Sequence, residues 1–246
     1  MTAFRRRVDI IAHPANGTGE VRAALEDDFH HFRAWVRHQD GEVTAIGGEA
    51  LRYPYSLCSQ ACGQLQQLLG MKLDRVAYSV TRQTDASHQC THLLDLAGLA
   101  IAAAARGTHQ RRYEINIGQR IDNRTRAILI RDGNEDLTWE VNGTMIEGPS
   151  PYSGINLREG MARWALNALS EEAAEAALLL RRCTLISMGR AYDLDEQIHA
   201  ANTARCYSQQ PERADQALRM KGSTLDFTHE QHSLCAQDQE WLRQRH

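Results

Sequence analysis

The chain has 246 residues, of which 42% are hydrophobic and 24% are charged, a composition typical of a globular protein with a sizeable core. Its net charge of -3 and pI near 6.4 argue against nucleic acid or a membrane surface as partner, because both require a dominant positive field. Without an apolar stretch of signal-peptide or membrane-span length, a cytoplasmic location is expected, and its six cysteines are expected to be thiols.

The N-terminal part predicts a hairpin after an irregular start. Residues 1–27 have an irregular pattern with a short helical stretch at 21–25. A β-hairpin is then predicted from alternating apolar and polar residues over 29–37, a turn at Asp40-Gly41 and a second strand at 43–46. In this hairpin His30 shares the apolar face.

Two stretches with apolar residues at helical spacing follow the hairpin. They predict one helix from Cys58 to Gly70 and another from Thr91 to about Ala105, which ends at Gly107. The stretch 75–81 between them has a strand-like pattern.

In the C-terminal part, the predicted strands come first and the predicted helices follow them. Strands are predicted at 113–117, 124–131, 137–141 and 144–146, and helices at 157–169, at 171–187 with Ser170 as N-cap, and at 229–243. The sequence therefore predicts an α+β fold with a hairpin and helix domain at 1–108 and an antiparallel sheet and helical domain at 109–246.

Two cysteines occupy predicted helix starts. A helix N-terminus lowers the pKa of a thiol and favours the thiolate, which binds soft metals or attacks carbon. Cys90 is followed closely by His92, so both side chains could turn towards one point. Zinc or iron held by His30, Cys58, Cys90 and His92 is one interpretation, and small buried thiols are the other.

Carboxylates complete the candidate site. Asp27 or Asp28, just ahead of the strand that carries His30, could donate an oxygen ligand. Asp95 lies three residues after His92 and could hold the second imidazole nitrogen. In a variant of this site, Cys90 is the catalytic nucleophile and His92 its base.

Two other clusters have simpler interpretations. Arg124 and Arg126 could bind an anionic substrate, but their alternation favours a solvated strand face. His229, His232 and Cys235 lack the spacing of a zinc-binding helix, and a surface helix is favoured there.

The run from His30 through Arg52-Tyr-Pro-Tyr-Ser-Leu-Cys58 to Cys90-Thr-His92-Leu-Leu-Asp95 resembles a bacterial family of unknown function, DUF2889. The segment 204–227 is also similar to that family. The resemblance strengthens the choice of site residues, including Arg52 as a substrate contact, and implies no reaction.

Residues 28–106 also resemble the scaffold proteins of iron–sulfur cluster assembly, in which Asp28, Cys58 and Cys90 would match ligand positions. A third cysteine ahead of the hairpin is missing, which favours a mononuclear site with an open position.

These features predict a cytoplasmic enzyme, a hydrolase or lyase, with a mononuclear zinc or iron centre that acts on a small organic acid or acyl compound in catabolism. A metal or cluster carrier without catalytic activity and a structural binding module are the alternatives. Self-association into a homo-oligomer is left open.

Overall fold

The computed structural model describes residues 3–244. Within them the chain forms two compact units, one made of 8–111, 193–225 and 235–244, the other of 3–7, 112–192 and 226–234. Whether 1–108 and 109–246 are separate domains stays a prediction.

Four strands come first in the chain, β1 (Phe4–Ala15), β2 (Thr18–Asp27), β3 (His31–Gln39) and β4 (Glu42–Arg52). They lie in the order β4-β3-β2-β1, and β3 is antiparallel to both of its neighbours. The larger unit contains β1 from Val8 onward and all of the other three. The predicted irregular start and helical stretch at 21–25 are wrong. Both faces of β2 are buried, and its charged residues are paired, as in the 2.5 Å contact of Arg22 Nε with Glu20. The sequence of β2 therefore lacks the alternation of apolar and polar residues by which a strand is recognised.

The predicted β3–β4 hairpin is confirmed. Asp40 and Gly41 adopt φ values of 51° and 81°, the conformation that a two-residue hairpin turn requires at both positions. Phe32, Ala34 and Val36 are fully buried on one face of β3, as alternation predicts.

Helical segments follow β4. They are a 3-10 helix at Cys58–Leu68, a 3-10 turn at Ala77–Ser79, α1 (Val80–Gln83), a 3-10 turn at Ala86–His88, and α2 (Thr91–Arg106). The predicted strand at 75–81 is wrong, because the Asp74 carboxylate accepts the Val76 N–H at 2.8 Å and turns the chain into a helical start. The predicted helix at Thr91 is confirmed, and Gly107 ends it at φ +68°.

Helix α2 packs against β2 and β3 and supplies much of the core of this unit. Leu93, Leu96 and Ala97 are completely buried. Gly98 lets α2 approach the Ala77–Ser79 turn closely, since a Cβ at this position would lie 2.2 Å from the carbonyl oxygen of Ala77. The N-terminal turn of α2 is thereby fixed beside the end of β2.

Four more strands follow, β5 (Gln110–Ile117), β6 (Arg124–Arg131), β7 (Asn134–Asn142) and β8 (Met145–Gly148), and then α3 (Met161–Ala168) and α4 (Glu171–Ile186). The strands lie in the order β5-β6-β7-β8, and the smaller unit contains β5 from Arg112 onward and all of the other elements. The predicted sheet and helices are confirmed here, and the Ser170 hydroxyl accepts the Ala173 N–H as N-cap. The fold class is therefore α+β with antiparallel strands.

The rest of the chain forms short turns. The 3-10 segments are Ser187–Ala191, Leu194–Glu196, Tyr207–Gln209, Ala214–Gln216, Gln231–Ser233 and Ala236–Asp238, and α5 (Gln239–Arg243) follows them. The single helix predicted at 229–243 is wrong, because Cys235 has a left-handed φ of 55° that interrupts it. Among the described residues, no helix has both the length and the apolar character needed to cross a membrane.

Candidate metal centre

A tight turn joins β2 to β3 and carries two of the site residues. The Asp27 N–H donates to the His30 carbonyl at 2.8 Å, and the fully buried Asp27 carboxylate accepts the N–H groups of Phe29 (2.7 Å) and His30 (2.8 Å). Asp27 therefore shapes the turn through its side chain, as Asp does in Asx turns. The same Oδ1 atom lies 3.1 Å from His30 Nδ1.

His92 comes to this turn from the start of α2. Its ring centroid lies 3.9 Å from that of His30, and the Phe32 ring lies 5.7 Å from His30 and 6.0 Å from His92. Both histidines are 8% exposed. The two imidazoles are therefore held in fixed orientations by packing against each other and against Phe32.

Asp27, His30 and His92, the triad, can each offer one ligand atom, and these atoms all lie within 4.8 Å of one another. The structure thus brings together both predicted histidines and, of the two predicted aspartates, Asp27 rather than Asp28. Asp28 is buried in the same turn, where its carbonyl oxygen accepts the Leu225 N–H at 2.7 Å. Its role as a ligand stays a prediction.

A second group, Glu26, His31 and Asp238, meets the same distance criterion. Its carboxylates already have cationic partners, since Arg33 Nε lies 2.6 Å from Asp238 Oδ1 and Arg52 lies 3.3 Å from Glu26 Oε1. His31 Nε2 lies 2.8 Å from Asp238 Oδ2. Because guanidinium groups compensate these charges, we interpret this group, the charge cluster, as an ion-pair network rather than a metal site.

Among residues 3–244, neither group includes a cysteine. The Cys58 Sγ atom lies 3.3 Å from the Ser208 hydroxyl, and Cys90 is the N-cap residue of α2, whose carbonyl accepts the Leu94 N–H. Burial raises the pKa of Cys58 to about 11 and also raises the pKa of Cys90. The expected lowering of the thiol pKa is therefore wrong for both, because desolvation outweighs the helix start. Their roles as ligand and nucleophile stay predictions.

The Arg52 side chain binds the backbone of this turn. Its guanidinium donates to the carbonyl oxygens of Asp27 (2.5 Å), Asp28 (3.1 Å) and His30 (3.3 Å). It also donates to the Ser223 carbonyl at 2.9 Å. Arg52 thus holds the backbone that presents the triad, and its contact with substrate stays a prediction.

The remaining predicted residues lie in different settings. Asp95 is half-buried in α2, one turn after His92, and its role as outer partner stays a prediction. Arg124 and Arg126 are exposed on β6, where they contact Glu147 at 3.2 Å and Glu140 at 3.6 Å. This is the solvated strand face that alternation favours; their contact with substrate stays a prediction.

Sequence reasoning missed the parts played by Phe32, Arg52 and Asp238 around the site. The Asp27 turn had a local signal, an aspartate three residues before a histidine. Asp238 had none, because its partners are far away in the chain.

Part of the chain is similar to a known protein family. The model of a family described as "Protein of unknown function (DUF2889)" matches residues 8–106. No curated protein and no solved structure matches the chain. The similarity at 204–227 and the likeness to iron–sulfur scaffolds therefore stay predictions. The resemblance predicted from the sequence is confirmed over this stretch, residues 8–106, which carries the triad.

Proposed function

We propose that the triad binds one divalent metal ion, iron or zinc, and that the chain is a mononuclear metal enzyme. The observation that carries this proposal is the convergence of Asp27 and His30, in one turn, with His92 from the start of α2, which gives two imidazoles and a carboxylate. Two ligand atoms bound to one ion at about 2.0–2.1 Å lie roughly 3 Å apart. The 3.1 Å separation of Asp27 Oδ1 and His30 Nδ1 fits that requirement.

The donor set favours a metal with open positions. Two histidines and one carboxylate on one side of an ion are the ligands of non-haem iron(II) enzymes and of catalytic zinc sites, which keep further positions for water or substrate. One carboxylate leaves a divalent ion with a net positive charge. That charge supports the expected substrate, a small organic acid or acyl compound, whose carbonyl the ion would polarise in a hydrolase or lyase reaction.

The ligand atoms also distinguish a mononuclear centre from a carrier of iron–sulfur clusters. A cluster carrier of the iron–sulfur scaffold type would use Cys58 and Cys90, whereas the ligand atoms that converge are oxygen and nitrogen. We therefore favour a mononuclear centre with catalytic activity over a carrier. A cytoplasmic location is part of the proposal, because a reducing compartment keeps cysteines such as Cys58 and Cys90 as thiols.

Metal analysis of protein purified without chelator and then loaded with iron(II) or zinc tests the proposal. We expect close to one equivalent per chain in the wild type. We expect less than a tenth of an equivalent in His30→Ala and His92→Ala, since each removes a ligand. Asp27→Asn keeps an acceptor for the turn and removes the charge, so it should fold and bind at least tenfold more weakly.

His88→Ala is the matched control, because the side chain of His88 is 49% exposed and the residue is outside the triad. It should bind metal like the wild type. Wild-type protein that takes up no metal, or triad variants that bind as well as His88→Ala, would show that the proposal is wrong. Turnover of short-chain acyl esters and thioesters by the loaded protein, lost in His92→Ala, would identify the reaction class.

A further inference from the structure

The end of the chain lies across the strands that lead to the metal site. Residues 235–244, the C-terminal strap, begin at Cys235, whose N–H donates to Glu26 Oε2 at 2.8 Å. Leu242 is fully buried and packs in a small apolar cluster with Ala24 and Cys235. The His13 ring contacts the Leu242 carbonyl at 2.7 Å. Both ends of the strap are therefore anchored on β1 and β2.

Polar contacts fix the middle of the strap. The Asp238 carboxylate is completely buried and binds His31 Nε2 at 2.8 Å and Arg33 Nε at 2.6 Å. Two guanidinium groups contact the Trp241 ring, with Arg22 at 5.1 Å and Arg33 at 5.0 Å from its centroid. Arg22 also donates to the Trp241 carbonyl at 2.6 Å. Such cation–π contacts are stronger where they are shielded from water.

The strap contacts the residues next to the triad. Glu26 and His31 are the last pair of the β2–β3 ladder, and the turn from Asp27 to His30 closes that ladder. Successive side chains of a strand point to opposite faces. The strap therefore holds Glu26 and His31, while Asp27 and His30 meet His92 at the start of α2.

Arg52 links the two sets of contacts. Its NH2 group reaches Glu26 Oε1, which belongs to the charge cluster, and also the carbonyl oxygens of Asp27 and His30. A shift of the strap would move Glu26 and His31, and through them and Arg52 the turn that presents two ligands.

We propose that the C-terminal strap positions the metal site, with Asp238 as a positioning residue that acts through His31 on the turn from Asp27 to His30. This inference rests on the proposed function, since it assumes that the triad binds metal. Partners outside the ligand shell typically change metal affinity by about 10- to 100-fold. By thermodynamic linkage, metal binding must in turn stabilise the docked strap.

The first test measures cobalt(II) affinity and the cobalt(II) absorption spectrum of Asp238→Asn. Glu240→Gln is the matched control, because it makes the same carboxylate-to-amide change at an exposed position of the strap. We expect Asp238→Asn to weaken binding at least tenfold and to alter the visible spectrum, which reports ligand geometry. Glu240→Gln should stay within twofold of the wild type with an unchanged spectrum.

Hydrogen exchange on the wild-type protein provides a second test that needs no variant. Saturating cobalt(II) should slow exchange of the strap amides, including the Cys235 amide that donates to Glu26. Unchanged strap exchange, or an Asp238→Asn variant that binds cobalt(II) like Glu240→Gln, would overturn the inference and leave the proposed function intact. Wild-type protein that binds no cobalt(II), iron(II) or zinc would overturn both.

Discussion

Cys58 and Cys90 lie at helix starts, and both are buried. The N–H groups at the start of α2 would stabilise a Cys90 thiolate, yet the loss of hydration on burial is the larger effect and raises the thiol pKa. Cys58 has the Ser208 hydroxyl beside it, and its pKa is still raised to about 11. At neutral pH both groups are therefore thiols.

The rate of alkylation by iodoacetamide at neutral pH reports whether Cys58 is a buried, protonated thiol. We expect Cys58 in the folded protein to react at least 100-fold more slowly than in protein unfolded by urea, because the thiolate fraction and access are both low. Mass spectrometry of the Cys58 peptide over time gives the rate. Equal rates in folded and unfolded protein would contradict the assignment of Cys58 as a buried, protonated thiol.

At the scale of elements, the close contact between α2 and the Ala77–Ser79 turn sets where the helix lies. Gly98 permits that contact, and any side chain there would collide with the backbone carbonyl of Ala77. The position of α2 in turn fixes His92 against Phe32 and His30. A packing detail far along the helix thus supports the geometry of the triad.

Gly98→Ala should therefore destabilise the protein by about 1–3 kcal/mol, the usual cost of overpacking a core, although alanine favours helices. Urea unfolding followed by circular dichroism measures the change. Gly63→Ala is the control, since a Cβ there meets nothing within 4 Å and its effect should stay within about 0.5 kcal/mol. Equal stability of Gly98→Ala and wild type would show that the helix and turn are not in close contact.

At the scale of the whole molecule, the strap ties the end of the chain to strands near its beginning. Burial acts to raise the pKa of Asp238, but hydrogen bonds and charge from His31 and Arg33 bring it below the usual 3.8. A carboxyl whose pKa is lowered on folding stabilises the folded state above its unfolded pKa. That contribution is lost as the pH falls through the lower folded value.

Asp238→Asn should accordingly lower the free energy of unfolding by about 2–4 kcal/mol at neutral pH, since it breaks a buried charge network. The difference from the wild type should shrink as the pH falls from 3.8 through the lower pKa of the folded state, below which the wild-type carboxyl is also neutral. Urea unfolding at several pH values measures this, with Glu240→Gln as control. A difference that stays constant into strongly acidic solution would contradict the assignment.

Sequence reasoning predicted elements whose pattern is local. The β3–β4 hairpin has its Asp-Gly turn, α2 has an apolar stripe and a terminal glycine, and α4 has Ser170 as N-cap. It failed for β1 and β2, where buried charged residues hide the alternation, and for the 75–81 stretch, where β-branched residues suggest a strand.

The sequence alone determined the similarity of residues 8–106 to DUF2889, the α+β class and the two histidines as candidates, because motifs and periodicity are properties of neighbouring residues. Only the tertiary structure decided that Asp27 rather than a cysteine joins them, and that Asp238 lies behind the turn. Which side chains meet depends on how α2 and the strap pack on the strands. It also depends on the desolvation that this packing imposes, and neither can be read from local spacing.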